Sequence, residues 1–213
     1  MRAVIAGATG LVGSVLIQKL LTDPRVELVT SVSRRSLGLD HPKLREVLVH
    51  DLAQLPRVAS ALAGTHYFCT LGTTIKDAGS PENFRRVDFD AIVKFGRIAK
   101  SHSAHSFVLV SASGANSESW FFYPRVKGET ERALMDLQLK RLVIFRPGLL
   151  MGERKSKRFA EEIAISAGHF LAPLLPEGIK KRAMTPVDQL AKRMIIESSQ
   201  PEAGVFTIEA GEI

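Results

Sequence analysis

The amino-acid sequence predicts an α/β fold, a doubly wound parallel sheet with helices on both faces. Three observations predict it. Short β-branched apolar runs recur without polar alternation, segments of helical period separate them, and a glycine-punctuated turn joins the first run to the first helix. Strands lacking alternation are buried on both faces, which a parallel sheet covered by helices provides.

"RAVIA" at residues 2–6 is the first strand, "GATGLVGS" the turn, and "LVGSVLIQKLLT" a helix by its apolar spacing. "VELVTSV" (26–32) and "LREVLVH" (44–50) read as strands from their length and β-branched content. The helix-permissive "LPRVASALAG" leads to the strand "HYFCT". One long helix is expected from Ser80, a plausible N-cap with Pro81 at the first helical position, to about residue 104. "SFVLVS" is a fully apolar strand, followed by a polar loop, a helix containing Tyr123, and the strand "RLVIFRP". Residues 149–183 change character: they are charged, contain Gly and Pro, and hold one helical piece near residues 159–167. They read as a short insertion over the sheet edge that covers the substrate. "TPVDQLAKRMIIESS" is a helix with Pro186 near its start, and "GVFTIEA" a closing strand. With no linker or internal repeat, residues 1–213 read as a single domain.

The composition, 45% hydrophobic and 24% charged, is that of an ordinary globular protein. The net charge of +7 raises the question of nucleic acid. The basic residues are spread along the chain, and the two dense clusters, "ERKSKR" (153–158) and "KKR" (180–182), accompany no nucleic-acid-binding motif. A solvated face or a positive rim around a phosphate-bearing ligand explains them better. The one cysteine, Cys69, excludes an internal disulfide and fits a reducing compartment. His102-x-x-His105 lies where a helix should end, so helix-end placement is preferred to a metal site, and no metal is expected. No apolar run has the length of a membrane span, and the N-terminus enters a strand directly, so a cytoplasmic protein is expected.

In such a sheet a ligand sits outside the carboxyl ends of the strands, where the first strand meets the reversal in strand order. The turn there is Gly7-x-x-Gly10-x-x-Gly13. Gly7 permits the tight turn, Gly10 close approach to a pyrophosphate, and Gly13 close packing of helix on strand. Gly7, Thr9, Gly10, Leu11, Val12 and Gly13 are therefore the candidate diphosphate cradle, facing the unpaired first amides of the helix. An acidic residue after the second strand would grip a free ribose 2'-hydroxyl. This chain has Ser33, Arg34 and Arg35 instead, and forked cationic donors suit a 2'-phosphate, which favours NADP(H) over NAD(H). Asp51 and Leu52 follow the third strand, where a carboxylate meets an adenine amino group. Leu71, Gly72 and Thr73 follow the fourth, where ribose or diphosphate lies.

"VSASG" ends the fifth strand and brings Ser111 and Ser113 to the same rim. Tyr123 follows, with Lys127 one turn along the same helix face. Free tyrosine ionises near pH 10, so Lys127 is expected to lower that value and also to bind the nicotinamide ribose. A serine hydroxyl would hold the substrate oxygen while Tyr123 gives or takes its proton.

"GATGLVGS", "SRR", "HDL", "LGTT", "VSASG", "YPRVK" and "RPG", in this order over residues 1 to about 150, resemble the motifs of the short-chain dehydrogenase/reductase superfamily in its extended or atypical branch. "RVDFDA", "YPRVKGE" and "FRPGLL" are further similar to the compact group containing the Tat-interacting oxidoreductase-like protein. The resemblance implies a Rossmann fold, NADP(H) binding, catalysis by Ser111, Tyr123 and Lys127, and a nicotinamide loop of Arg146, Pro147 and Gly148. The short C-terminal part argues against bulky sugar-nucleotide substrates. A small carbonyl or alcohol is expected, with contacts from "SESWFF" (117–122) and residues 149–183. Trp120, Phe121 and Phe122 read equally well as core or homodimer packing. Because the compact group is associated with regulation through protein partners, an NADPH-binding regulatory or scaffold protein with little turnover is the alternative.

Overall fold

The computed structural model describes residues 1–151 and 184–213. Strand β1 (Arg2–Ala6) leads through the glycine turn into helix α1 (Leu11–Thr22), then β2 (Leu28–Ser33) and β3 (Leu44–Leu48). A 3₁₀ segment (Leu52–Leu62) precedes β4 (His66–Cys69), and the short helices α2 (Ile75–Ala78) and α3 (Pro81–Arg85) follow. A π-helical turn (Arg86–Ala91) runs into α4 (Ile92–Ser101). Next come β5 (Ser106–Val110), α5 (Phe122–Met135), β6 (Arg141–Arg146) and β7 (Leu149–Met151). After the undescribed stretch come β8 (Met184–Pro186), α6 (Val187–Ser198) and β9 (Gly204–Glu209).

Seven strands form one sheet in the order β3-β2-β1-β4-β5-β6-β9, every neighbouring pair parallel. β7 and β8 make a separate two-stranded parallel pair. The winding reverses between β1 and β4, where Ala3 pairs with Val29 on one side and His66 on the other. A crevice therefore opens at the carboxyl ends of these two strands. Alternate strand residues serve two cores. Ile5, Phe68, Val108 and Phe145 pack with Leu16, Leu20, Leu190 and Met194 of α1 and α6. Val4, Tyr67, Phe107 and Ile144 pack with Leu55, Leu62, Ile92 and Phe95 on the opposite face. Each such side chain contributes roughly 1.5–3 kcal/mol by leaving water, which is why the strands show no polar alternation.

The seven strands of the main sheet lie where the sequence places them, within about two residues at each end, whereas the short pair β7 and β8 was not expected. The long helix from Ser80 does not form as one piece. Ser80 caps it by accepting from the Asn83 amide at 3.2 Å, and Pro81 occupies its first turn, but the helix widens into the π turn after Arg85 and resumes at Ile92. Residues 52–62 wind as 3₁₀ rather than α, with Pro56 inside. Pro186 closes β8 and caps α6, at the helix start as expected. His102 ends α4, with Nδ1 3.0 Å from the Ile98 carbonyl and 3.1 Å from the Tyr67 hydroxyl. The helical piece near 159–167 and both basic clusters lie outside the described residues.

The last strand is stapled to the sheet by Arg141, which is 2% exposed. Its guanidinium donates to the Glu197 carbonyl at 2.9 Å, the Glu202 carbonyl at 2.7 Å and the Glu197 carboxylate at 3.0 Å, and it stacks on the Phe206 ring. Arg141→Met leaves these acceptors without donors and is expected to cost about 2–3 kcal/mol, read as a lowered urea midpoint at unchanged m-value.

Candidate active site

The glycine turn is closed by sterics. Gly7 has φ +94°, and a Cβ on it would stand 2.6 Å from the Thr70 carbonyl. The Gly10 amide donates to the Gly7 carbonyl at 3.0 Å. A Cβ on Gly13 would lie 2.1 Å from that same oxygen, so only glycine lets α1 sit this close to β1. At Gly10 the nearest atom is 3.3 Å away, so its bare backbone serves the outer side of the turn rather than its packing. Gly10 caps α1 with no side-chain hydrogen bond, and the first helical turn has no acidic residue. Thr9 and Gly10 are exposed. The amides of Leu11, Val12 and Gly13 have no carbonyl within the helix to reach and carry the positive end of its dipole. These features fit a diphosphate.

Beside this turn, Arg34 and Arg35 are exposed and pair with no carboxylate among the described residues. The Ser33 hydroxyl donates to the Arg35 carbonyl at 2.6 Å, which curls the chain as it leaves β2. One Asp51 oxygen accepts from the Ala53 amide at 2.8 Å and caps the 3₁₀ segment that begins at Leu52.

The residues after β4 join this turn to α5. Thr70 and Leu71 touch Gly7, while Gly72 and Thr73 touch a buried ion pair, Lys127 with Asp88. Lys127 Nζ lies 2.6 Å from Asp88 Oδ1, with side chains 6% and 0% exposed. The other Asp88 oxygen accepts from the Thr73 amide at 2.9 Å, and the Thr130 hydroxyl donates to the Asp88 carbonyl at 2.8 Å. The π turn inserts an extra residue into the helical repeat and aims Asp88 at α5; such turns often sit at functional sites. Burial acts against the Lys127 ammonium, but Asp88 and then Tyr123 outweigh it and hold Lys127 above the ordinary lysine range. Burial also pushes the Asp88 carboxyl upward, against Lys127 and the Thr73 amide.

Tyr123 stacks against Phe84, with ring centroids 5.7 Å apart, and Lys127 Nζ is 5.9 Å from its ring centroid. Its hydroxyl has no hydrogen-bond partner among the described residues. Its ionisation departs from expectation. Burial raises the Tyr123 pKa, Lys127 pulls it down, and Asp88 raises it again, so the net shift is upward. The lysine acts in the expected direction but is outweighed by burial first and then by a carboxylate the sequence did not reveal.

Ser111 is buried, and its hydroxyl donates to Glu131 Oε1 at 2.5 Å. Arg146 grips Glu131 with two bonds, at 2.6 and 3.1 Å, and reaches Glu209 at 3.0 Å. Ser113 is exposed, and its amide donates to the Pro147 carbonyl at 2.9 Å; the Gly148 amide donates to the Thr185 hydroxyl at 3.1 Å. The Ser113 loop and the Pro147–Gly148 turn are thus adjacent. The loop lies flat on α5 because a Cβ at Gly128 would stand 2.1 Å from the Ser117 amide. Trp120 and Phe121 are not core residues, being 95% and 74% exposed, whereas Phe122 packs edge-on to Phe84 at 5.5 Å. Asp88 and Glu131 are the residues sequence reasoning missed. Glu131 continues the spacing of four from Tyr123 and Lys127 and was legible as a stripe; Asp88 depends on the π turn and was not.

A seven-stranded parallel sheet with a glycine turn and an uncapped helix at its switch point defines a dinucleotide-binding protein with an oxidoreductase-like fold. The family model described as NAD(P)H-binding matches residues 7–163, and the chain belongs to that family. Among its relatives is a protein of Debaryomyces hansenii named FMP52, mitochondrial, 39% identical over 167 residues that cover 76% of this chain and 73% of that protein. Another is the protein HTATIP2 of Rattus norvegicus, 34% identical over 203 residues, 94% of this chain and 82% of that protein. Solved structures of the same fold include MoeE5 in complex with UDP-glucuronic acid and NAD, with TM-score 0.75 at 16% identity over 99% of this chain and 76% of that one. A short-chain dehydrogenase family protein from Francisella tularensis matches with TM-score 0.72 at 14% identity, covering 99% of this chain and 98% of that one. The expectation of a cytoplasmic protein is corrected, because relatives in several fungi are named mitochondrial. A free buried thiol fits any reducing compartment and never singled out the cytoplasm. Among the described residues no helix is long and apolar enough to cross a membrane, and no group of side chains is arranged to hold a metal ion.

The second and third glycines of the turn have separable roles. Gly13→Ala is expected to destabilise the fold by about 2–4 kcal/mol, seen as a lowered melting temperature. Gly10→Ala is expected to melt within about 2 °C of the parent but, if the diphosphate approaches the turn at this residue, to bind NAD(P)H at least about tenfold more weakly by calorimetry.

Proposed function

We propose that the protein is an NADP(H)-dependent oxidoreductase acting on a small carbonyl or alcohol, with Ser111, Tyr123 and Lys127 as its reacting-end residues. The observation that carries this reading is the four-residue link Thr70–Thr73, which touches Gly7 at one end and the Lys127–Asp88 pair at the other. This link supports reading the glycine turn and the Tyr123 helix as two ends of one site. The bound nicotinamide supplies a hydride to the carbonyl carbon. The first amides of α1 hold the diphosphate, Arg34 and Arg35 the 2'-phosphate, and Asp51 the adenine. Lys127 faces Asp88 as an ion pair, and its ammonium would donate to ribose hydroxyls. Pro147 and Gly148 border the nicotinamide. The unpartnered Tyr123 hydroxyl delivers a proton to the substrate oxygen, and Ser111 orients that oxygen, exchanging its bond to Glu131 as substrate arrives. A mitochondrial location follows from the names of the relatives.

Tyr123→Phe is expected to lower carbonyl reduction at least about 100-fold while leaving NADPH affinity within about twofold. Full activity in this variant would remove the mechanism. Replacing Arg34 and Arg35 by alanine is expected to weaken NADPH at least about tenfold, a loss of about 1.5 kcal/mol or more, and to leave NADH binding unchanged. Equal losses for both nucleotides would refute the 2'-phosphate role.

One observation favours a second reading, a nucleotide-binding regulatory protein with little turnover. Ser111 and Lys127, two of the three reacting-end residues, are already engaged by buried carboxylates. NADPH binding without turnover across a broad carbonyl panel would select it.

A further inference from the structure

The buried carboxylate behind Lys127 is not one of the three residues assigned to the reaction, and its placement is over-determined. One oxygen faces Nζ at 2.6 Å, the other accepts the Thr73 amide at 2.9 Å, and its carbonyl is bound by Thr130 at 2.8 Å. Gly72 closes over the pair; a Cβ there would lie 3.6 Å from Asp88 Oδ1 and 3.8 Å from Lys127 Nζ. Away from water, opposite charges at this separation attract strongly, and both side chains are buried.

We propose that Asp88 is a positioning residue that holds the Lys127 ammonium as a neutral pair and thereby keeps Tyr123 in its protonated, proton-donating form, poising the site for carbonyl reduction. This rests on the oxidoreductase reading of the same site. Among the described residues, Lys127 and Asp88 are the charges that act on the phenol. α3 packs the Phe84 ring against it. From α5 comes Lys127 and from the π turn Asp88, whose charges cancel. On β4, Cys69 near Lys127 is a neutral thiol, pushed up to about 12 by burial. Glu131, one turn further along α5, is taken by Arg146 and Ser111. Viewed from Tyr123, a lone ammonium would stabilise a phenolate, whereas an ammonium paired with a carboxylate offers only a short dipole.

The consequence is directional. In reduction, a bound nicotinamide would give up a hydride and be oxidised as the new C–H bond forms; the carbonyl π electrons would move to oxygen, the Tyr123 O–H bond would break to supply the proton of the new O–H bond, and water would reprotonate the phenolate. Alcohol oxidation would need the phenolate first. A phenol titrating above the ordinary value near 10 supplies fewer than about one such site in a thousand at pH 7.

The full-length protein without nucleotide tests this by alkaline titration of phenolate absorbance. The chain has only two tyrosines. Tyr67, buried and donating to the Leu62 carbonyl at 2.5 Å, is pushed up to about 12, and the Tyr123→Phe variant supplies its curve for subtraction. Wild-type Tyr123 is expected to titrate above about 10. Asp88→Asn should lower that midpoint by at least about one pH unit, Asp88→Glu should keep it high, and Asp88→Asn with Lys127→Met should return it to the wild-type value or above. A wild-type midpoint below about 9, or an Asp88→Asn midpoint that does not fall, overturns the proposal. If Asp88→Asn does not fold, Asp88→Ser takes its place, with the same fall in midpoint expected and an unchanged midpoint overturning the proposal. Because no nucleotide or substrate is present, this result is independent of whether Tyr123→Phe abolishes turnover.

Discussion

The contact between Gly13 and the Gly7 carbonyl is the constraint on which the site depends. A single methyl at Gly13 would occupy the space of that oxygen, so the first helix can rest on the first strand only with no side chain there. Close packing of α1 on β1 does more than bury Leu16 and Leu20. It aims the uncapped end of the helix at the crevice between β1 and β4, and it brings Thr70 and Leu71 against Gly7. From there the chain passes directly to Gly72 and Thr73 and so to Lys127. A steric rule at one residue thus helps to fix how the glycine turn sits relative to Lys127.

Charge at the second end is managed by pairing. α5 carries Tyr123, Lys127 and Glu131 on one face at intervals of one turn. Its two charged members are buried, a state that costs several kcal/mol for an isolated ion, and each is answered by an opposite charge from a neighbouring element. Lys127 is answered by Asp88 from the π turn, and Glu131 by Arg146 at the end of β6. The stripe is therefore electrically near neutral around the phenol. This is the physical reason that the tyrosine's ionisation follows burial rather than the lysine.

The fold was legible because its signals are local and repeated: unbroken apolar runs, helical spacing between them, and glycines at intervals of three after the first strand. Ser80 and Pro81 likewise announced a helix start that the structure contains. What remained hidden depends on backbone geometry or on contacts across the sheet. Nothing in "RVDFDA" tells an α turn from a π turn, yet that difference decides whether Asp88 meets Lys127. Ser111 was found from its place at a strand end, but its bond to Glu131, twenty residues later, is a tertiary fact. The exposure of Trp120 and Phe121 was equally invisible, since an aromatic pair beside a helix start reads as core until the loop beneath it is placed. Localisation was misread because neither a lone cysteine nor the absence of a long apolar run distinguishes one reducing compartment from another.

A crystal structure of the protein with NADPH tests the central claim most directly, that the glycine turn and the Tyr123 helix are two ends of one site. The account predicts diphosphate oxygens about 3 Å from the amides of Leu11 and Val12, and a nicotinamide ribose hydroxyl about 3 Å from a Lys127 Nζ that is still paired with Asp88. A nicotinamide lying away from α5, or a Lys127 that has left Asp88 to reach it, would contradict it.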